Sequence, residues 1–303
     1  MSRRIVLAAA LAVLALVPAA PSGAAPHQAP VARYPVTVTA DNGKVTIRKR
    51  PARIVSLSAT ATESLFAIGA GNQVVAVDDQ SDYPKQAPHT SLSGYTPNVE
   101  AIASYKPDLV LAASDPKDLT SALAALGIPV ILQDAPSSLR GAYQQILQLG
   151  KVTGNTPRAT SLVKRMQSQI ARIVGKRKPA AAGQTVYHEL DPTFFSASSK
   201  TFMGRVYALF GLKNIADAAP GGAYPQLSAE YIVASSPDLI VLADSVCCGQ
   251  TASTVGSRPG WSGIQAVRTG SILRIDDSIA SRWGPRLVNF VRAVGSALRR
   301  LEG

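Results

Sequence analysis

Short, fully apolar runs alternate along this chain with segments whose apolar residues recur at helical spacing. Residues 36–39 and 44–48 alternate apolar with polar positions and flank Asp41, Asn42 and Gly43, which predicts a two-stranded hairpin. Segments with an apolar core at 53–56, 74–77, 109–112 and 130–133 predict buried strands, with helices at about 59–68 and 119–126 between them. Thr60 or Thr62 is placed to cap the first of these helices. From residue 139 the pattern turns helical, giving one helix at 142–151 and a longer one at 157–176, with Thr156 as cap and Pro157 as first residue. The longer helix exceeds what a strand-to-strand crossover needs. It reads as a rigid strut without a sequence-encoded hinge of the common kind. Alternation then resumes with strands at 185–189, 239–243 and 271–275, a helix at 203–210 and a closing helix at 286–301.

This rhythm predicts an α/β protein of two Rossmann-like lobes with mainly parallel sheets, joined by one long rigid helix, with a ligand cleft between the lobes. The expected boundaries are a signal peptide at 1–24, a leader and β-hairpin at 25–52, an N-terminal α/β lobe at 53–138, a helical linker at 139–182 and a C-terminal α/β lobe at 183–303.

An internal repeat supports the two-lobe reading. Residues 98–112 align without a gap on residues 228–242, at an offset of 130 residues, so that Glu100 falls on Glu230, Ile102 on Ile232 and Asp108 on Asp238. Each copy reads as a short helix, a Pro-Asp turn and a buried strand. Both copies carry their glutamate at the same place, which suggests one partner surface gripping both lobes.

Composition narrows the setting. Arg3 and Arg4 precede an apolar run at 5–17, too short to span a bilayer, and then a small-residue stretch at 21–25. This is the pattern of a secretory signal peptide, with cleavage expected after Ala24. Without Arg3 and Arg4 the net charge of +12 becomes +10. The basic residues are dispersed rather than gathered in runs, so nucleic acid is a poor partner. There is no cysteine near the cleavage region to carry a lipid anchor, so the protein is expected to be exported, periplasmic or extracellular, and monomeric.

Residues 51–70 and 79–84, with 224–230 and 282–286, closely resemble substrate-binding proteins of ABC importers for cobalamin and ferric siderophores, the class III periplasmic binding proteins. The resemblance covers almost the whole chain after the leader. It implies two α/β lobes joined by a long helix, little hinge motion, no enzymatic activity, no resident cofactor, and an iron or cobalt chelate as ligand. It further implies that Glu100 and Glu230 dock on a dimeric ABC permease. In the cleft, Tyr95 matches a position that stacks on cobalamin or ligates iron in haem-binding relatives, and Tyr224 matches the aromatic of the opposite lobe. Phe194 or Phe195, with Arg282 and Trp283, completes the expected cage. Arg282 and Arg286 offer planar donors to anionic ligand groups, with Lys200 and Arg205 as lesser candidates, although Arg286 is equally placed for a structural pair. The hairpin, the basic charge and Arg282 favour an anionic ferric siderophore over cobalamin, with haem as the alternative.

Cys247 and Cys248 are adjacent and follow a strand. Neighbouring Cα atoms lie closer than most disulfides allow, so two buried thiols are expected, with a vicinal disulfide as the alternative. A secreted hydrolase lacks support: there is no G-x-S-x-G or H-E-x-x-H, His27 lies in the leader, and only His89 and His188 remain as bases. A free-metal receptor would need a cluster of three or four ligands, which the sequence does not supply. A sensor on the same scaffold would not need both glutamates.

Overall fold

The computed structural model describes residues 33–301. The expected signal peptide at 1–24 and the leader at 25–32 lie outside the described residues. The chain opens with the antiparallel hairpin β1 (Val36–Ala40) and β2 (Gly43–Ile47), in register from Val36 opposite Ile47 to Ala40 opposite Gly43. Its alternation puts Val36, Val38 and Ile47 into the core and leaves Thr37 and Thr46 to pair outside.

The first α/β unit follows as β3 (Ile54–Leu57), α1 (Ala59–Ala67), β4 (Val74–Val77), α2 (Val99–Ser104), β5 (Leu109–Ala112), α3 (Leu119–Ala125) and β6 (Val130–Leu132). Two helices come next, α4 (Leu139–Thr153) and α5 (Thr156–Ala181). The second unit is β7 (Thr185–Glu189), α6 (Phe202–Leu209), β8 (Lys213–Asn214), α7 (Ala229–Ser235), β9 (Leu239–Leu242), α8 (Ala252–Gly256), α9 (Gln265–Arg268), β10 (Ile272–Arg274) and α10 (Asp277–Ala280). Helix α11 (Leu287–Ala297) closes the fold.

Both four-stranded sheets are parallel, and both have the same strand order. The first runs β4-β3-β5-β6 and the second β8-β7-β9-β10. Every residue of β3, β5 and β9 is buried, which is why β5 and β9 read as unbroken apolar runs and β3 departs from one only at Ser56.

The repeat has a structural job at the opposite edge of each sheet from the strand C-termini. The Asp108 carboxylate accepts from the backbone N–H groups of Ala52 and Arg53, at the entrance to β3. Asp238 accepts from the N–H and hydroxyl of Thr185, at the entrance to β7. In both lobes one turn aspartate therefore ties the third strand of the unit to the start of the first.

Capping differs from expectation at two helices. Ser58, not Thr60 or Thr62, caps α1 by accepting from the Ala61 N–H, because it alone has extended backbone just ahead of the first turn. Thr62 is instead buried, bonded to the hydroxyls of Ser56 and Ser81. Thr156 is already inside α5, with its hydroxyl donating back to the Gly150 carbonyl. Helix α5 contains Gly175 within the expected range and runs on past residue 176, through Pro179 to Ala181. The stretch at 158–174 carries neither glycine nor proline.

Candidate ligand cleft and its two edges

In parallel sheets, ligands are received by the loops that leave the strand C-termini. Here those loops carry most of the large apolar side chains that remain in water. Tyr83 and Tyr95 (46% and 76% exposed) follow β4, Phe195 (38%) follows β7, Tyr224 (51%) follows β8 and Val246 (67%) follows β9. Leu126, at the end of α3, is the exception among the described residues. Scattered exposed hydrophobics need no explanation, but their concentration on one edge of both sheets makes that edge the candidate binding surface.

On the N-terminal side, a cavity of about 230 Å³ is bounded by Ser58 and Thr60 after β3, Asp78 and Gln80 after β4, and Gly94 with Tyr95. Asp277, Ser281, Arg282 and Trp283 close it from the segment ahead of α11. The Tyr95 turn is set by Ser93, whose hydroxyl accepts from the N–H groups of Tyr95 and Thr96. Gly94 is required there, since a Cβ would lie 2.8 Å from the Leu57 carbonyl oxygen. A larger depression, about 960 Å³, lies between β1 and α4. Gln148 and Lys151 span it by donating to the carbonyls of Thr39 and Thr37, so it is a braced groove of the hairpin.

Asp78 is a cavity residue that sequence reasoning missed. It is buried, and its carboxylate accepts from the Ser81 hydroxyl at 2.5 Å. Burial raises its pKa above the usual carboxylate value. The available signal was position: Asp78 is the first polar residue after an apolar strand, as are Gln133 and Asp244 in their turn.

Arg282 and Arg286 are committed within the protein. Arg282 Nη1 donates to Glu63 Oε1 at 3.1 Å and Asp82 Oδ1 at 2.6 Å, and its Nη2 donates to the Gln80 carbonyl at 2.7 Å. Arg286 Nη2 donates to the same Glu63 oxygen at 2.6 Å, and its guanidinium lies 4.5 Å from the Tyr83 ring centroid. Of the two alternatives for Arg286, the structure therefore takes the structural pair. Arg282, expected to offer its donors to a ligand, lines the cavity with both terminal nitrogens bonded within the protein. Trp283 is partly buried against Phe202, and its indole N–H donates to Gln145 Oε1 at 2.6 Å. Lys200 and Arg205 are exposed.

On the C-terminal side, the segments at 190–198 and 223–227 are laced by backbone hydrogen bonds from Ser196 to Pro225, from Ser198 to Ala223 and from Leu227 to Phe194. That lacing sets Phe195 beside Gln226 and close in the fold to Tyr224. Phe194 and Phe195, the two alternatives, differ in their surroundings. Phe194 turns inward at φ 69°, with its ring stacked on Trp261 at 5.8 Å, while Phe195 faces solvent.

Beneath this edge lies a buried ionic cluster. Arg258 grips Glu189 through two hydrogen bonds of 2.6 and 2.7 Å, and Tyr187 donates to the same carboxylate at 3.1 Å. Asp244 is fully buried next to Glu189, and burial together with that neighbouring charge pushes its pKa to about 7. His188 is a structural residue: it is fully buried, bonded to the Tyr207 hydroxyl at 2.5 Å, and burial lowers its pKa to about 4. Among the described residues no group of three or more His, Cys, Asp or Glu side chains is placed to hold a metal ion.

Cys247 and Cys248 form a vicinal disulfide, and both residues are exposed. The expectation of two buried thiols fails because the chain has already left the sheet by Val246.

Glu100 and Glu230 are exposed and occupy the same place in equivalent helices, the first turns of α2 and α7. Asn98 and Ser228 cap those helices, and Ile102 and Ile232 anchor them with no exposed surface.

Residues 54–279 match the family model described as periplasmic binding protein. The chain belongs to the periplasmic binding protein family. This is a family of binding proteins and not of enzymes. An uncharacterized ABC transporter substrate-binding lipoprotein of Bacillus subtilis is 34% identical over 275 residues, covering 88% of this chain and 86% of that one. A cobalamin-binding protein of Halobacterium salinarum is 29% identical over 307 residues, covering 95% and 82%. Among solved structures, the apo form of the periplasmic heme-binding protein RhuT from Roseiflexus sp. RS-1 superposes with a TM-score of 0.73 at 26% identity, covering 83% of this chain and 99% of that one.

Proposed function

We propose that this periplasmic binding protein is the extracytoplasmic receptor of an ABC importer and captures a flat metal chelate between Tyr95 and Tyr224. The observation that carries this reading is the edge of exposed aromatic side chains contributed by both sheets, above a cavity whose arginine is already neutralised. Stacking on each ring would contribute on the order of 1 kcal/mol beyond the area it buries. With Arg282 held by Glu63, Asp82 and the Gln80 carbonyl, and with Asp78 and Asp277 facing the same cavity, an anionic ligand loses its chief support. A chelate without net negative charge, such as cobalamin, fits better than the anionic ferric siderophore that the sequence favoured. The similarity to a cobalamin-binding relative supports the same choice. Haem is the second reading, favoured by the exposed hydroxyl-bearing ring of Tyr95, which is free to turn toward an iron atom.

Glu100 and Glu230 would engage the permease dimer, one from each lobe. The iron or cobalt belongs to the transported ligand and not to the protein. Tryptophan-fluorescence titration with cyanocobalamin, haemin and a ferric siderophore tests the reading, with Trp283 at the cavity wall as reporter. Saturable quenching by cyanocobalamin is expected, and quenching by the ferric siderophore alone would overturn the choice of ligand.

A further inference from the structure

The disulfide-bearing segment after β9 has no structural task of the ordinary kind. A disulfide stabilises a fold by removing freedom from the unfolded chain, and the effect grows with the loop it closes. Between adjacent residues there is almost no loop to close. Neither is the segment held by the core, since Val246, Cys247, Cys248 and Gly249 are all exposed. Val246 shows 67% of its surface to water, in the turn four residues beyond the fully buried strand β9.

What fixes the segment is its root. The Ser245 hydroxyl donates to the Ile275 carbonyl at 3.0 Å, the Cys248 N–H donates to the Asp244 carbonyl at 3.1 Å, and the Asp244 backbone pairs with that of Asp276 in an isolated antiparallel bridge. Asp276 immediately precedes Asp277, which lines the cavity with Arg282 and Trp283. Strand β9 is also the neighbour of β7, from which Phe195 emerges. The exposed Val246 and the disulfide thus stand on the ligand edge of the second sheet, anchored to the strand end that leads into the cavity wall.

The geometry points to Val246 and the Cys247–Cys248 disulfide as a rigid apolar wall of the ligand site, made to lie against the conjugated face of a flat chelate. It rests on the chelate reading given above. The bond closes an eight-membered ring through both side chains, so neither has rotamer freedom left to lose when a ligand packs on it. Sulfur is polarisable and makes favourable contacts with π-systems. A flexible, strongly anionic ligand gains nothing from such a surface, whereas a corrin or porphyrin does.

The test compares the wild-type protein with C247S/C248S and V246S in titrations with cyanocobalamin and haemin, alongside circular dichroism and thermal unfolding. With the fold intact, each variant is expected to bind the wild type's preferred probe roughly five- to thirtyfold more weakly, the loss typical of a truncated contact at the centre of a binding surface. Should C247S/C248S fail to fold, V246S carries the test, because it leaves the bridge in place. Absence of binding by the wild-type protein would overturn the chelate reading and this inference with it. Wild-type binding that both folded variants retain undiminished would overturn this inference alone.

Discussion

Arg286 donates to Glu63 at 2.6 Å, and Arg282 reaches the same carboxylate oxygen at 3.1 Å, so one buried side chain of α1 holds two guanidinium groups from the segment ahead of α11. The Glu63 side chain is 1% exposed and those of the two arginines 12% and 13%. Glu63→Ala would leave two poorly solvated cations facing each other. A loss of about 3 to 5 kcal/mol is expected, as for other buried pairs broken from one side. Urea unfolding would register it as a lower midpoint at unchanged slope. An unchanged midpoint would show that the pair does not hold the segment.

The exposed glutamates Glu100 and Glu230, in the first turns of α2 and α7, are not among the residues that line the cavity beside Tyr95. Glu100→Ala and Glu230→Ala are therefore expected to keep ligand affinity and to lower uptake in cells, with the double variant lowest, because charged rim groups govern partner encounter. Full uptake by the double variant would remove the docking role.

Tyr95 and Tyr224 project from opposite lobes with 76% and 51% of their surface exposed. Each change to alanine is expected to weaken chelate binding by roughly 1 to 3 kcal/mol with little effect on folding. Tyr95→Phe separates the two chelate readings: a stacked corrin should tolerate it, whereas an iron–phenolate bond cannot. Isothermal titration with cyanocobalamin and the visible spectrum with haemin decide between them.

Two buried groups give stability opposite dependences on pH. Asp244 has a folded pKa of about 7 against an ordinary 3.8, so the folded state keeps a proton that the unfolded state has released, and its contribution falls as pH rises from about 4 to 7. His188, at about 4 against 6.5, contributes stability that is lost as pH falls through the same region. Asp244→Asn is expected to gain on the wild type steadily between about pH 4 and 7, read as the difference in unfolding free energy. A difference that does not vary with pH would overturn the assignment.

The periodic apolar runs fixed the α/β class, the position of most strands and the duplication, because burial on both faces of a parallel sheet leaves a signature that is local in the chain. The repeat likewise disclosed Glu100 with Glu230 and Asp108 with Asp238 as equivalents, and the structure adds what the two aspartates do, each closing the entrance to its sheet. Tyr95 was singled out by the family resemblance alone, and the structure adds that it is exposed on a turn set by Ser93.

Partners remote in sequence were not legible. Glu63 lies inside an apolar helix and reads as an ordinary helical position, until α11 brings Arg286 to it from 223 residues away. Phe194 and Phe195 are the same residue type side by side, and only the backbone turn at Phe194 decides which ring meets Trp261. Adjacency alone argued against a Cys247–Cys248 bond, and only the chain's exit from β9 left both thiols exposed and in reach of each other. Local periodicity determines which surface each segment must bury. Tertiary packing decides which charges are neutralised, and hence which side chains remain for a ligand.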